Sequence, residues 1–140
     1  MHRILFLDFD GVLHSVDAEP HQYLVHAPVL AQALADADCE IVISSAWRYS
    51  YPLESLRLML PPELGALASR CTGRALTSPH ARYDEILAHL AQRADPVDWR
   101  ALDDSRYEFP EDCRNLIACD PQKGLGRRQL RELRRWLGRG

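Results

Sequence analysis

The sequence predicts an α/β fold, a three-layer sandwich around a central, mostly parallel sheet. Three observations carry that expectation. Short apolar or β-branched runs (Ile4–Leu7, Glu40–Ser45, Pro96–Asp104, Asn115–Asp120) alternate with stretches of helical character. The first two runs are joined by a loop and one helix, a βαβ unit that implies parallel pairing and a right-handed crossover. Three of the runs end in reactive groups, Asp8/Asp10, Ser44/Ser45 and Asp103/Asp104, and open parallel sheets hold their ligands at the carboxyl ends of strands near a topological switch point.

The elements follow in order. Ile4 to Leu7 is a continuous apolar run stopped by turn chemistry, the pattern of a strand buried on both faces. Ser15 to Gln22 is polar, holds Pro20 and reads as a loop. Ala27 to Ala37 is rich in Ala and Leu, with Pro28 where a first helical turn tolerates it, and Val29, Leu30 and Leu34 form its expected buried stripe. Glu40 to Ser45 is a second strand. Tyr51 to Leu67 carries regularly spaced leucines broken by Pro61-Pro62, which predicts two short helices; Arg70 to Arg74 reads as a short strand or loop. Arg82 to Arg93 is a helix with Ile86, Leu87 and Leu90 on one side. Pro96–Asp104 and Asn115–Asp120 are strands, and a helix from Gly124 to Leu137 closes the chain.

With 140 residues the chain is expected to be one domain, 1–140, large enough for a single buried core. No apolar run approaches the roughly 20 residues needed to span a bilayer, and the first strand starts without a leader, so no membrane association and a cytoplasmic location are expected. Cys39, Cys71, Cys113 and Cys119 lack the paired spacing of a zinc site and read as reduced thiols, none of them catalytic. The net charge of −3 hides an uneven distribution, about +6 from Pro121 to Gly140 and about −9 over the rest.

The chemistry starts at Asp8-Phe9-Asp10-Gly11. A glycine just past a strand end suggests a tight turn that gathers both carboxylates over the edge of the sheet. Carboxylates so close repel unless a cation lies between them or one keeps a proton, and hard oxygen donors suit Mg²⁺. Asp103 and Asp104, adjacent acids ending another apolar strand, raise the same demand. A solvated acidic turn is the plainer reading, but it leaves the second acid and the glycine without a purpose. Ser44 and Ser45 are turn formers by default, and Arg48 lies near enough in sequence to reach an anion.

"DFDGV" after an apolar strand resembles the first motif of the haloacid dehalogenase-like (HAD) superfamily, and the later motifs follow in order. The resemblance implies a HAD-like, Rossmannoid fold and a Mg²⁺-dependent phosphatase, a phosphoric monoester hydrolase. In it Asp8 is the nucleophile and Asp10 the general acid/base. Ser44 or Ser45 hydrogen-bonds the phosphoryl group, Ser44 being the better match as the first residue after the run. Arg82, with Arg70 and Arg74 as competitors, supplies the cation of the third motif; Lys123 is out of order. Asp103 and Asp104 complete a metal site with Asp8 and Asp10. An acid at position 10 favours phosphoryl chemistry, since a departing halide needs no proton. About 34 residues separate Asp10 from Ser44 and about 37 separate Ser44 from Arg82, too few for an inserted cap of the usual 50 residues or more. Minimal or no cap is therefore expected, with an open site suited to a large phosphorylated substrate such as a nucleic-acid end or phosphoprotein and the Tyr49–Leu67 helices as a partial lid. "SSAWR", "RYDEIL" and "ALDD" are similar to the small HAD domains of Swiss Army Knife RNA-repair proteins.

Two further readings belong beside this one. The terminal helix can gather Arg127, Arg131, Arg134 and Arg135 on one face, opposite Leu130, Leu133 and Leu137, a face fit to contact nucleic-acid phosphates, although arginine-rich solvated helices are common. A catalytically weak phosphate- or nucleic-acid-binding regulatory module is the alternative function. A receiver-like domain would place its acidic pair early and its phosphoacceptor later, the reverse of the order here.

Overall fold

The computed structural model describes residues 1–139; Gly140, the last residue of the expected 1–140 domain, lies outside the described residues. Five strands, β1 (His2–Leu7), β2 (Glu40–Ile43), β3 (Ala68–Cys71), β4 (Val97–Asp103) and β5 (Leu116–Ala118), form one sheet in the order β3-β2-β1-β4-β5. Every pairing is parallel. The helices are α1 (Ala27–Ala33), α2 (Leu53–Met59), α3 (Pro62–Gly65), α4 (Ala81–Leu90) and α5 (Arg127–Trp136).

Alternation along the strands builds the three layers, because successive side chains point to opposite faces. Leu5, Leu7, Ile41, Ile43 and Leu102 turn to one face, where they pack with Leu30 and Leu34 of the α1 region, Leu56 of α2, Leu64 of α3 and Leu130 and Leu133 of α5. Ile4, Phe6, Val42, Trp99 and Ala101 turn to the other, covered by Ile86 of α4 and by Phe109. The chain winds outward from β1 to β2 to β3 under helices on the first face. It then crosses by way of α4 on the second face to β4, on the opposite side of β1. The reversal between β1 and β4 is the topological switch point of the sheet, and the carboxyl ends of those two strands are where a ligand crevice opens.

Three details depart from the sequence expectation. The first helix stops at Ala33, ahead of Ala37, and Asp36 takes a left-handed φ of 60° in the turn that follows. In α4, Ile86 is buried and Leu90 packs against the core, but Leu87 is 40% exposed. Glu85 and His89 are buried in its place, Glu85 against Arg48 and His89 with its ring edge on Phe6 at a centroid distance of 5.7 Å. Finally, α2 and α3 are not a lid: Leu56 and Leu64 are fully buried, so both helices are part of the layer that covers β2 and β3. No helix among the described residues is long and apolar enough to cross a membrane.

Candidate active site

The site is assembled by the backbone ladder at the carboxyl edge. Thr72 N–H donates to Ile43, Ser44 N–H to Leu7, Asp8 N–H to Leu102 and Cys119 N–H to Asp103, at 2.9 to 3.1 Å. Thr72, Ser44, Asp8, Asp103 and Cys119 therefore stand side by side, one past the end of each strand or, for Asp103, at its last position. Residues far apart in sequence become neighbours because each strand stops at the same level.

Asp8, Asp103 and Asp104 each offer a carboxylate oxygen within 4.8 Å of one another. Gly11 makes room for this. Its φ of +77° is a conformation that L side chains rarely adopt, and a Cβ there would lie 2.1 Å from Asp104 Oδ2. Arg82, at the start of α4, reaches the cluster from the second face. Its Nη1 donates to Asp103 Oδ2 at 2.5 Å and lies 3.6 Å from Asp8 Oδ1. Neither Arg70 nor Arg74, the two competitors, forms an ion pair with these acids.

Charge at this edge is unbalanced, three carboxylates against one guanidinium. Burial drives the Asp8 carboxyl well above its ordinary range, and the Asp103 charge adds to that while Arg82 opposes it. Asp103 is pushed up to about 6, by burial first, with Arg82 and the Ser105 N–H pulling the other way. Asp104, with a carboxylate oxygen within 4.8 Å, raises the Asp8 carboxyl further, and acids this close need a shared proton or a cation between them. Three hard oxygen donors carrying more negative charge than their arginine neutralises fit Mg²⁺.

Three of the four carboxylates expected at the metal site meet in this cluster. The Asp10 side chain is half exposed and turns away from the cluster: Oδ1 is 2.8 Å from His14 Nε2, and Oδ2 accepts from Trp47 Nε1 at 3.1 Å. The buried His14 ring takes the Leu24 N–H on Nδ1, so the neutral ring carries its proton on Nε2 and donates it to Asp10. Two donors thus hold the carboxylate in one orientation at the mouth of the site.

The two serines separate. Ser45 Oγ accepts from Trp47 N–H and caps the 3-10 turn Ala46–Tyr49, whereas Ser44 Oγ is buried without a hydrogen-bond partner. A buried orphan hydroxyl is costly and marks a place for an incoming acceptor or donor. Thr72 Oγ1 is a second such orphan, which sequence reasoning missed; a hydroxyl residue just past β3, as Ser44 is just past β2, was the available signal. Arg48, read from sequence as able to reach an anion, is occupied elsewhere. Its guanidinium is buried, pairs with Glu85 at 2.8 Å, donates to the carbonyls of Ser44, Ser45 and Gly73, and also meets the Tyr49 hydroxyl. It ties the strand-end loops together from beneath. All four cysteines are free, and burial lifts the Cys39 and Cys119 thiols to about 12, which keeps them unreactive.

Compared with known families, residues 4–130 match the model of one described as the HAD domain in Swiss Army Knife RNA repair proteins. No curated protein and no solved structure matches the chain.

Proposed function

The chain belongs to the family of HAD domains in Swiss Army Knife RNA repair proteins, and on that premise we propose that it is a Mg²⁺-dependent phosphatase acting through an aspartyl-phosphate, on a large or exposed phosphate ester such as a nucleic-acid end. The observation that carries the reading is the meeting of Asp8, Asp103 and Asp104 within 4.8 Å under the Arg82 guanidinium, at the switch point of a parallel sheet.

Asp8, Asp103 and Asp104 would hold the metal, which when bound offsets the charge of the phosphoryl oxygens. Arg82 adds a fixed positive charge on the other side of Asp8, and the Ser44 hydroxyl donates to a phosphoryl oxygen. An Asp8 carboxylate oxygen attacks phosphorus in line with the leaving oxygen, so an Asp8–phosphorus bond forms as the ester P–O bond breaks. Asp10 gives its proton to the departing oxygen. A water then attacks the same phosphorus and surrenders a proton to Asp10, which releases inorganic phosphate and restores Asp8. The hydrogen bonds from His14 and Trp47 support the Asp10 role by fixing its carboxylate at the half-exposed mouth of the site, where a leaving group can reach it.

Release of phosphate from an aryl phosphate with Mg²⁺ tests the proposal. Asp8→Asn should lower the rate roughly a thousandfold or more, as loss of a covalent nucleophile does. No turnover in the parent protein would leave the phosphate-binding module as the better account, and turnover surviving in the variant would overturn Asp8 as the nucleophile.

We propose a nucleic-acid contact on α5 as well. Arg127, Arg131, Arg134 and Arg135 are exposed, while Leu130 and Leu133 are buried on the opposite side. The N-terminus of α5 follows the loop that hydrogen-bonds Val12 and Val16 beside the site, so this face begins at the site's own edge.

A further inference from the structure

We infer that the cleft beside Asp10 is a stacking wall for an unpaired nucleobase on the leaving-group side of the ester. The inference rests on the phosphatase reading for the position of the leaving oxygen. The cavity, about 700 Å³, is lined by Asp10, Tyr23, Trp47, Ser50, Tyr51 and Met59 among others. Tyr23 and Tyr51 are 44% and 43% exposed, so large ring faces are open to a ligand. Trp47 joins the cleft to the chemistry, since its Nε1 holds Asp10 Oδ2. A group attached to the oxygen protonated by Asp10 has to pass along the indole.

Charge and geometry narrow the occupant. No lysine or arginine among the described residues lines the cleft, so it offers nothing to a second phosphate or a carboxylate. The rings touch one another. Tyr23 meets Trp47 edge to face at a centroid distance of 5.5 Å, and Trp47 meets Tyr51 at 5.9 Å with the planes tilted by 43°, so the three rings follow one another without a break along the cleft. A flat, uncharged ring laid on one side fits such a wall. The indole is the ring of the three that hydrogen-bonds Asp10, with Tyr23 and Tyr51 as its neighbours, so a ring resting on either tyrosine reaches the reacting oxygen through a spacer. A nucleoside has this shape, with a sugar between ester oxygen and base; in phosphotyrosine the ring bears the oxygen directly. Stacking on one side tolerates any base. The base can come from a mononucleotide or from the end of a strand.

The test compares kcat/KM for adenosine monophosphate, a 3′-phosphorylated single-stranded oligonucleotide, glycerol phosphate, phosphocholine and a phosphotyrosine peptide. The two base-bearing esters should be preferred, and the stronger of them identifies the source. In Tyr51→Ala the ratio of base-bearing to glycerol phosphate turnover should fall about tenfold, chiefly through KM, and Tyr51→Phe should restore it. A preference for phosphocholine or phosphotyrosine, or a ratio that Tyr51→Ala leaves untouched, overturns the inference. If the parent protein hydrolyses none of these, the phosphatase reading falls and the wall is judged separately. In that case adenosine monophosphate should still shift the Trp47 indole N–H resonance, more weakly in Tyr51→Ala, and an unmoved resonance overturns the wall too.

Discussion

Two largely enclosed arginines sit at the same sheet edge and do different things. Arg48 faces one carboxylate, Glu85, and hands its remaining donors to backbone carbonyls and a tyrosine. Arg82 meets two acids of a cluster of three, Asp103 closely and Asp8 at 3.6 Å. The first arrangement is balanced in charge and in hydrogen bonds; the second is short of positive charge. What separates a structural pair from a reactive site here is stoichiometry, since both are largely enclosed and both contain the same chemical groups.

The contrast can be broken from either side. Arg48→Met strands a buried Glu85 charge and should cost about 3–5 kcal/mol in urea unfolding. Adding Glu85→Gln should recover part of that, because the charge goes while the Leu76 N–H keeps an acceptor. At the other arginine the sign reverses. Asp104→Asn removes one acid from a surplus and should raise the stability of the metal-free protein by about 1 kcal/mol, while the Mg²⁺-induced rise in Tm shrinks. Should Asp104→Asn destabilise the metal-free protein, the cluster is not charge-frustrated.

Burial of the same cluster sets a pH dependence. The Asp103 carboxyl is raised from 3.8 to about 6 on folding, so between those values the folded chain binds more protons than the unfolded one. Stability without metal should therefore be greatest at the acid side of this window and fall by about 1–3 kcal/mol as pH rises through 6. Mg²⁺ should then raise Tm more at pH 7.5 than at pH 5, and an equal shift at both would contradict the origin assigned to it. The smallest effect on stability belongs to the solvated arginines of α5. Arg131→Gln with Arg134→Gln should change folding by no more than about 0.5 kcal/mol, yet flatten the salt dependence of single-stranded RNA binding by about 1.4 in log–log slope.

The strands and their acidic ends were legible because each is a local pattern: an apolar run, then Asp8, Ser44 or Asp103. Arg82 was legible through the resemblance of "RYDEIL". The direction of the Asp10 side chain was not, since it is decided by Trp47, thirty-seven residues on, and by a histidine whose tautomer depends on Leu24. Arg48 and Glu85 were opaque for the same reason: an ion pair across thirty-seven residues leaves no periodic trace, and it inverted the burial expected of Glu85 and Leu87. The wall of Tyr23, Trp47 and Tyr51 comes from a loop, a 3-10 turn and the approach to α2, where spacing carries no signal.

The strand that carries Asp8 lies in the middle of the sheet, zipped to a neighbour along both sides, whereas Trp47 and Tyr51 ride on short segments past the end of β2. Amide protons of β1 should accordingly be the last to exchange with solvent, and those of residues 46–51 among the first. Gentle warming would then erode discrimination between leaving groups well before it silenced the hydrolytic reaction itself.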